Sequence, residues 1–337
     1  MPLVDSRPPL RLVFLGCGAI ARTHARTLRR FPSVRIGFAS RDPRRARAYA
    51  DRFEGVAAFP GYDAAIGSSD VDGVIVTTPP PEHFGLTMRA LLAGKHVLVE
   101  KPAFRSSREA DLVLATSHEV GRQVLVLENY GYKPLTAVLR RLLADDAVGT
   151  VRLIRINALK HQADWGWRTD PALAGGGALF EGGIHWLHFM ATIGPEIESV
   201  SGFAPPSPGG LERSMLVVTR HHGGAIGTLH HAWDAPVRWK GLALSQVIGT
   251  RGTIVFESNG LVVGLNDRRG RRLFFPGFRD IRGYRAMFTD LIAALRDGRP
   301  PRVDLLQARR DLWLAEEAYR TAGVGSIEAG EACSTAG

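Results

Sequence analysis

The sequence predicts an α/β protein of two domains: a doubly wound parallel sheet, then a second α/β domain rich in hairpin-spaced strands. Three observations carry this. Apolar strand-like runs alternate with helical stretches from Leu10 to about Tyr132. A glycine-rich turn closes the first strand and opens a helix. Beyond residue 150, strand-like runs are punctuated by glycine turns. The domains are expected at residues 1–130 and 131–325, with the small, polar stretch 326–337 as a frayed tail.

In order along the chain, "LRLVFLGCGAIARTHARTLRRF" supplies an apolar strand, a turn through Gly16 and Gly18, and a helix. The pattern G-x-G-x-x-A, completed by Ala21, stands where a dinucleotide-binding turn needs it, after a strand and before a helix. Gly16 permits the tight turn, Gly18 lets a pyrophosphate approach the backbone, and the helix N-terminus at Ala19 and Ile20 faces the phosphates. "VRIGFAS" is the second strand and ends in Ser40-Arg41-Asp42. A hydroxyl and a guanidinium at this strand end suit a 2′-phosphate and favour NADP over NAD. Asp42 argues for NAD, unless it caps the helix that starts at Pro43. The strands "DGVIVTT", "KHVLVEKP" and "QVLVLENYGY" follow, with helices between them. Ligands on such sheets sit beyond the carboxyl ends of the strands, which makes Thr78, Pro79, His83, Glu100, Lys101 and Asn129 the remaining cofactor-binding candidates.

Composition narrows the class. With 45% hydrophobic and 23% charged residues, the chain has the balance of a soluble globular protein. Its apolar runs fall far short of a membrane span, the start lacks a secretory signal, and no membrane partner is expected. Cys17 and Cys333 are its two cysteines, far apart and without motif partners, which fits a reducing cytoplasm. The net charge of +10 comes from scattered arginines without interleaved aromatics, so no nucleic-acid partner is expected either.

Lys101 is one of only five lysines and follows a buried strand, with Pro102 directing it away from helical geometry. An amine can lose its proton when desolvated and then shuttle it; a guanidinium cannot. The plainer reading pairs Lys101 with Glu100. In the second half, "GGALFEGGIHWLHF" places Glu181, His185 and His188 at spacings of four and three, one face of a helix. That stripe fits a metal site, an acid/base relay or satisfied core groups. A metal asks for at least three ligands, and the pairs His221-His222 and His230-His231 would alternate between sheet faces, so no metal is expected. The acid/base reading is preferred because it also accounts for Lys101. Trp165, Trp167 and Arg168, in the loop before this helix, suit a polyhydroxylated or anionic substrate, or else anchor the loop.

The segments "GCGAIA", "ALLAGKHVLVEKP", "ENYGYKP", "VGTVRLIRI", "WRTDPALAGGGALFEGGIHWLHFM" and "DLLQARRDLWLAEEAY" resemble the Gfo/Idh/MocA oxidoreductases over about residues 10–325. The resemblance implies an N-terminal Rossmann domain and a C-terminal α/β domain with a large, open, mainly antiparallel sheet, the active site lying between them. It also implies that Lys101 sits at the nicotinamide and substrate hydroxyl, that His185 is the general acid/base, and that Glu181 matches the motif's acid, usually Asp. His188 stands where another Asp is common, and with Trp167, Arg168 and Tyr284 it forms the expected substrate set. The expected activity is hydride transfer between NAD(P) and a sugar-like or cyclitol-like alcohol or ketone, with Lys101, Glu181 and His185 as the catalytic set. A redox-neutral lyase or hydrolase that oxidises its substrate transiently, and a non-catalytic sugar or nucleotide sensor, are the alternatives. An open apolar sheet face favours pairing with a copy of itself, giving a homodimer or homotetramer.

Overall fold

The computed structural model describes residues 7–162, 170, 174–207, 211–237 and 243–324, so Trp165, Trp167, Arg168 and the tail 326–337 lie outside the described residues. The chain divides into two compact units: Met1–Phe104, Arg108–Leu127 and Met287–Leu305 form the first, and Arg105–Ser107, Glu128–Ala286 and Leu306–Gly337 the second. The chain passes into the second unit at Arg105–Ser107, returns, and passes again at Glu128. The return of Met287–Leu305 to the first unit does not follow from a single boundary.

In the first unit, β1 (Leu10–Leu15), β2 (Val34–Ala39), β3 (Ala57–Phe59), β4 (Gly73–Val76), β5 (His96–Val99) and β6 (Val124–Val126) form one sheet. The strands are all parallel, in the order β3-β2-β1-β4-β5-β6. This is the doubly wound Rossmann arrangement, and the order reverses between β1 and β4. Runs such as "GVIV" are buried at every position because helices cover both faces, so these strands do not alternate. The helices are α1 (Ala19–Leu28), α2 (Pro43–Phe53), α3 (Tyr62–Ile66), α4 (His83–Leu92) and α5 (Ser107–Val120). Phe14 and Phe38 stack at 5.2 Å in the core.

The second unit holds an eight-stranded sheet of β7 (Val151–Leu159), β8 (Ile197–Phe203), β9 (Ser214–His221), β10 (Ile226–Ala232), β11 (Leu244–Gly249), β12 (Gly252–Glu257), β13 (Val263–Asp267) and β14 (Gly270–Phe274). Their order is β14-β13-β12-β11-β7-β10-β9-β8, and among these strands only β7 and β10 pair in parallel. The turns expected at Gly223-Gly224 and Arg251-Gly252 join β9 to β10 and β11 to β12. Strict alternation fixes the two faces. Ile154, Ile156, Val217, Leu229, Val247 and Phe256 point inward and are buried, while Leu153, Leu244 and Phe203 point outward and are about half exposed. Among the described residues, four further helices are α6 (Pro134–Ala144), α7 (Ile184–Ile193), α8 (Tyr284–Asp297) and α9 (Leu305–Ala322). The inner sheet face is covered by α7, where Phe189 meets Phe256 at 5.8 Å. On β8, Gly202 admits α9 closely: a Cβ there would lie 2.2 Å from the Ala318 carbonyl oxygen. Among the described residues no helix is long and apolar enough to cross a membrane.

Candidate active site

The glycine turn lies at the point where the strand order of the first sheet reverses. Gly16 adopts φ +106, and a Cβ there would press on the Thr77 carbonyl at 3.1 Å, so a side chain is excluded by both conformation and space. Gly18 caps α1 without a side chain, and a Cβ at that position would meet nothing within 4 Å. Ala19 is exposed and Ile20 half-buried in the first turn. Across the turn, Thr78 Oγ1 is buried with no partner among the described residues. An open cradle at a helix N-terminus beside an unsatisfied hydroxyl is what a bound pyrophosphate would complete. The loop therefore fits a dinucleotide.

At the end of β2, Asp42 Oδ1 accepts from Arg44 N at 3.0 Å and caps α2. The buried Ser40 Oγ accepts from Asp42 N at 3.1 Å. Arg41 is exposed, with Nη1 3.4 Å from Glu82. Pro79 is half-buried and precedes the short helical turn Pro80–Glu82. Two of the expected cofactor-binding residues are buried and bonded within the unit. His83 is 1% exposed, its ring nitrogens 2.9 Å and 2.8 Å from the Pro102 and Thr78 carbonyl oxygens. Glu100 is 6% exposed, bound to the ring of His24 and accepting from Lys101 N. Both side chains are committed to the protein because β4 and β5 end in the interior of the unit.

The second unit carries the other half of the chemistry. Residues Leu179–Gly183 form a π-helical turn that runs into α7. Such turns widen a helix locally and recur at functional positions. Glu181 lies within this turn, while His185 and His188 follow it at regular α-helical spacing and both act electrostatically on Glu128. His188 is 1% exposed, its Nδ1 2.7 Å from Asp311 Oδ2 on α9. Burial alone would lower its pKa, but the Asp311 charge and hydrogen bond outweigh it and raise it. Its Nδ1 is thus engaged by Asp311 in the interior of the unit.

His185 is part-buried, and its Nδ1 lies 2.6 Å and 2.8 Å from the two oxygens of Glu128. Glu128, from the end of β6, is the carboxylate on Nδ1. Burial pushes the Glu128 carboxyl up, but the His185 charge and hydrogen bond, with His188 and the Tyr130 N–H, hold it down at about 2. Tyr130 lies flat on the His185 ring, centroids 4.4 Å apart and planes 9° apart. Lys133 Nζ sits 4.4 Å from the Tyr130 ring centroid, and burial lowers that amine to about 8. Glu181 and Tyr284 are half-buried, and both act electrostatically on the Tyr130 hydroxyl. Asn129 is buried and its Nδ2 donates to the Arg282 carbonyl at 2.6 Å.

The two histidine pairs split as β alternation requires. His221 and His231 are buried while His222 and His230 are exposed, and among the described residues no group of three potential ligands is arranged for a metal.

A phosphate cradle at the switch point of a parallel sheet, in a chain whose second unit carries a carboxylate-held imidazole, is the composition of a dinucleotide-binding oxidoreductase. Residues 10–128 match the profile of an oxidoreductase family with an NAD-binding Rossmann fold, and residues 136–255 match the GFO/IDH/MocA C-terminal domain. The chain belongs to the Gfo/Idh/MocA oxidoreductase family. It is 30% identical to a dTDP-3,4-didehydro-2,6-dideoxy-alpha-D-glucose 3-reductase of Saccharopolyspora spinosa, over 74% of this chain and 75% of the relative. It is 27% identical to trans-1,2-dihydrobenzene-1,2-diol dehydrogenase of Bos taurus, over 72% of each. Among solved structures, GenD2 from gentamicin A biosynthesis, in complex with NAD, superposes with a TM-score of 0.82 at 28% identity, covering 95% of this chain and 96% of that one.

Proposed function

We propose that this enzyme transfers a hydride between NAD(P) and a carbinol or ketone carbon of a sugar-like or cyclitol-like substrate, with His185 and Lys101 handling the hydroxyl proton. The observation that carries this reading is the buried Glu128 carboxylate on His185 Nδ1. It fixes the tautomer and stabilises the imidazolium, which leaves proton exchange with substrate to Nε2. The nicotinamide, when bound, supplies or accepts the hydride. Lys101 polarises the substrate oxygen as it gains or loses charge. Relatives named for a dideoxy-sugar nucleotide and a cyclic diol support a ring-borne hydroxyl or ketone as the reacting group.

NADP is the preferred cofactor on the residues. Asp42, the acid that could have served a ribose hydroxyl, is engaged in capping α2, while Arg41 stands exposed beside it. A polyhydroxylated small molecule is the expected partner, and a homodimer or homotetramer through the outer sheet face the expected assembly, since Leu153, Leu244 and Phe203 are exposed on that face, among polar residues such as Arg155 and His230. The deciding experiment screens sugars, nucleotide sugars and cyclitols with both cofactors for a change in nicotinamide absorbance. Turnover that leaves bound cofactor unchanged overall would instead indicate the redox-neutral chemistry.

A further inference from the structure

Lys101 is tied to the glycine turn along two independent routes, both inside the first unit. The first runs through α1. His24, on that helix, is fully buried, and its Nε2 is hydrogen-bonded to Glu100 Oε1. The other oxygen of the same carboxylate accepts from the backbone N–H of Lys101 at 3.1 Å. The second route runs through the end of β4. Thr77 Oγ1 donates to the Gly16 carbonyl at 2.9 Å, and Gly16 itself packs on Thr77 and Thr78. The Thr78 carbonyl lies 2.8 Å from His83 Nε2, and His83 Nδ1 lies 2.9 Å from the carbonyl of Pro102, the residue after Lys101.

Burial lowers the pKa of His83, so the ring is neutral, donates its one N–H to one of the two carbonyls and packs against the other; a buried His–Glu pair is likewise costly unless its hydrogen bonds are well formed. What both order is the same dipeptide, held on its two sides. We infer that His24 and His83 are positioning residues for Lys101, clamping the backbone of Lys101-Pro102 to the frame that forms the dinucleotide loop. The lysine is thereby set in place before substrate arrives, as a preorganised group must be. This inference rests on the chemical role proposed for Lys101.

The test needs neither cofactor nor substrate. In the full-length protein, the rate of trace acetylation of Lys101 by acetic anhydride is followed by mass spectrometry, with Lys95, Lys133 and Lys160 as internal standards. His24→Leu and His83→Leu should each change the Lys101 rate by about threefold or more, with the standards steady. Because His24 acts through Glu100, His24→Leu added to Glu100→Gln should change nothing further. His83→Gln, which keeps one donor, should restore part of the wild-type rate, and with Glu100→Gln it serves if the leucine variants do not fold. A Lys101 rate that stays at wild type while the melting temperature falls, or a rise common to all four lysines, overturns the assignment. Absence of nicotinamide turnover would defeat the proposed function while leaving this measurement intact.

Discussion

Arg41 and Asp42 are neighbours with different uses, and a charge-deletion variant separates them. If Arg41 receives a 2′-phosphate, Arg41→Ala weakens NADPH binding by roughly 1.5–3 kcal/mol, the scale of a charge-assisted contact, and leaves NADH nearly unchanged in fluorescence titrations. Equal losses would mean that the 2′-position is not read here. At the other half of the chemistry, His185→Ala and Lys101→Ala should each lower kcat by on the order of 10²–10⁴, with the double variant far from additive. Glu128→Gln keeps the shape but removes the anion facing the imidazole. The acidic limb of the rate profile should move to lower pH, because the imidazolium loses its stabilising neighbour. A profile that shifts for Glu181→Gln and not for Glu128→Gln would reverse the roles of the two acids. The same carboxylate has a stability signature. Its pKa is held at about 2 against an ordinary 4.5, so its contribution is present above pH 4.5 and is lost as pH falls toward about 2.

The π-helical turn is the element on which His185 depends, and a tyrosine and a carboxylate anchor it. Tyr319, on α9, accepts through its hydroxyl oxygen from the backbone N–H groups of Gly177 and Phe180 and donates to Glu212 Oε1 at 2.8 Å, while Glu212 also accepts from Leu179 N at 2.7 Å. A Cβ on Gly177 would fall 1.8 Å from Glu212 Oε2. Gly177→Ala should therefore cost about 1–3 kcal/mol in denaturant unfolding, as overpacking does. Burial pushes the Glu212 carboxyl up from 4.5 to about 7, so folding favours its neutral form. Stability should fall as pH rises from 4.5 through about 7, and Glu212→Gln should flatten that part of a melting-temperature profile. Helical spacing alone revealed that residues 181–188 carried an unusual polar stripe. It could not show which member faced inward, since His188 owes its burial to Asp311, 123 positions away. Glu128 escaped for the same reason: "VLVLENY" looks like a strand end, and nothing local links it to a histidine 57 residues later. The glycine turn and the Asp42 cap were legible because their causes lie within a few residues. The strands β8 and β14 carry weak local signals, β8 having polar outward positions and β14 lying at an edge with Arg271, Arg272 and Leu273 exposed.

At the scale of the whole molecule, the outer sheet face gives a prediction about assembly. Leu153→Arg together with Leu244→Arg should shift sedimentation from an oligomer to the monomer while sparing dinucleotide binding; a wild-type protein that sediments as a monomer would remove the premise. The discontinuity of the first unit has a different consequence, one of timing. Met287, Phe288 and Leu291 are fully buried, and Phe288 lies edge-on to the His24 ring at 5.2 Å, so a helix from late in the chain completes a core that was begun by the first strand. A ribosome delivering the chain from its N-terminus cannot finish that unit until residue 305 has emerged, by which time most of the second unit has already been made. Residues 1–127 released on their own should therefore fail to hold a dinucleotide, and adding the 284–305 segment in trans should restore binding. An exchange of cofactor-binding halves between relatives by a single recombination would inherit the same defect: the graft would carry the loop that holds the nucleotide and leave behind the helix that closes its core.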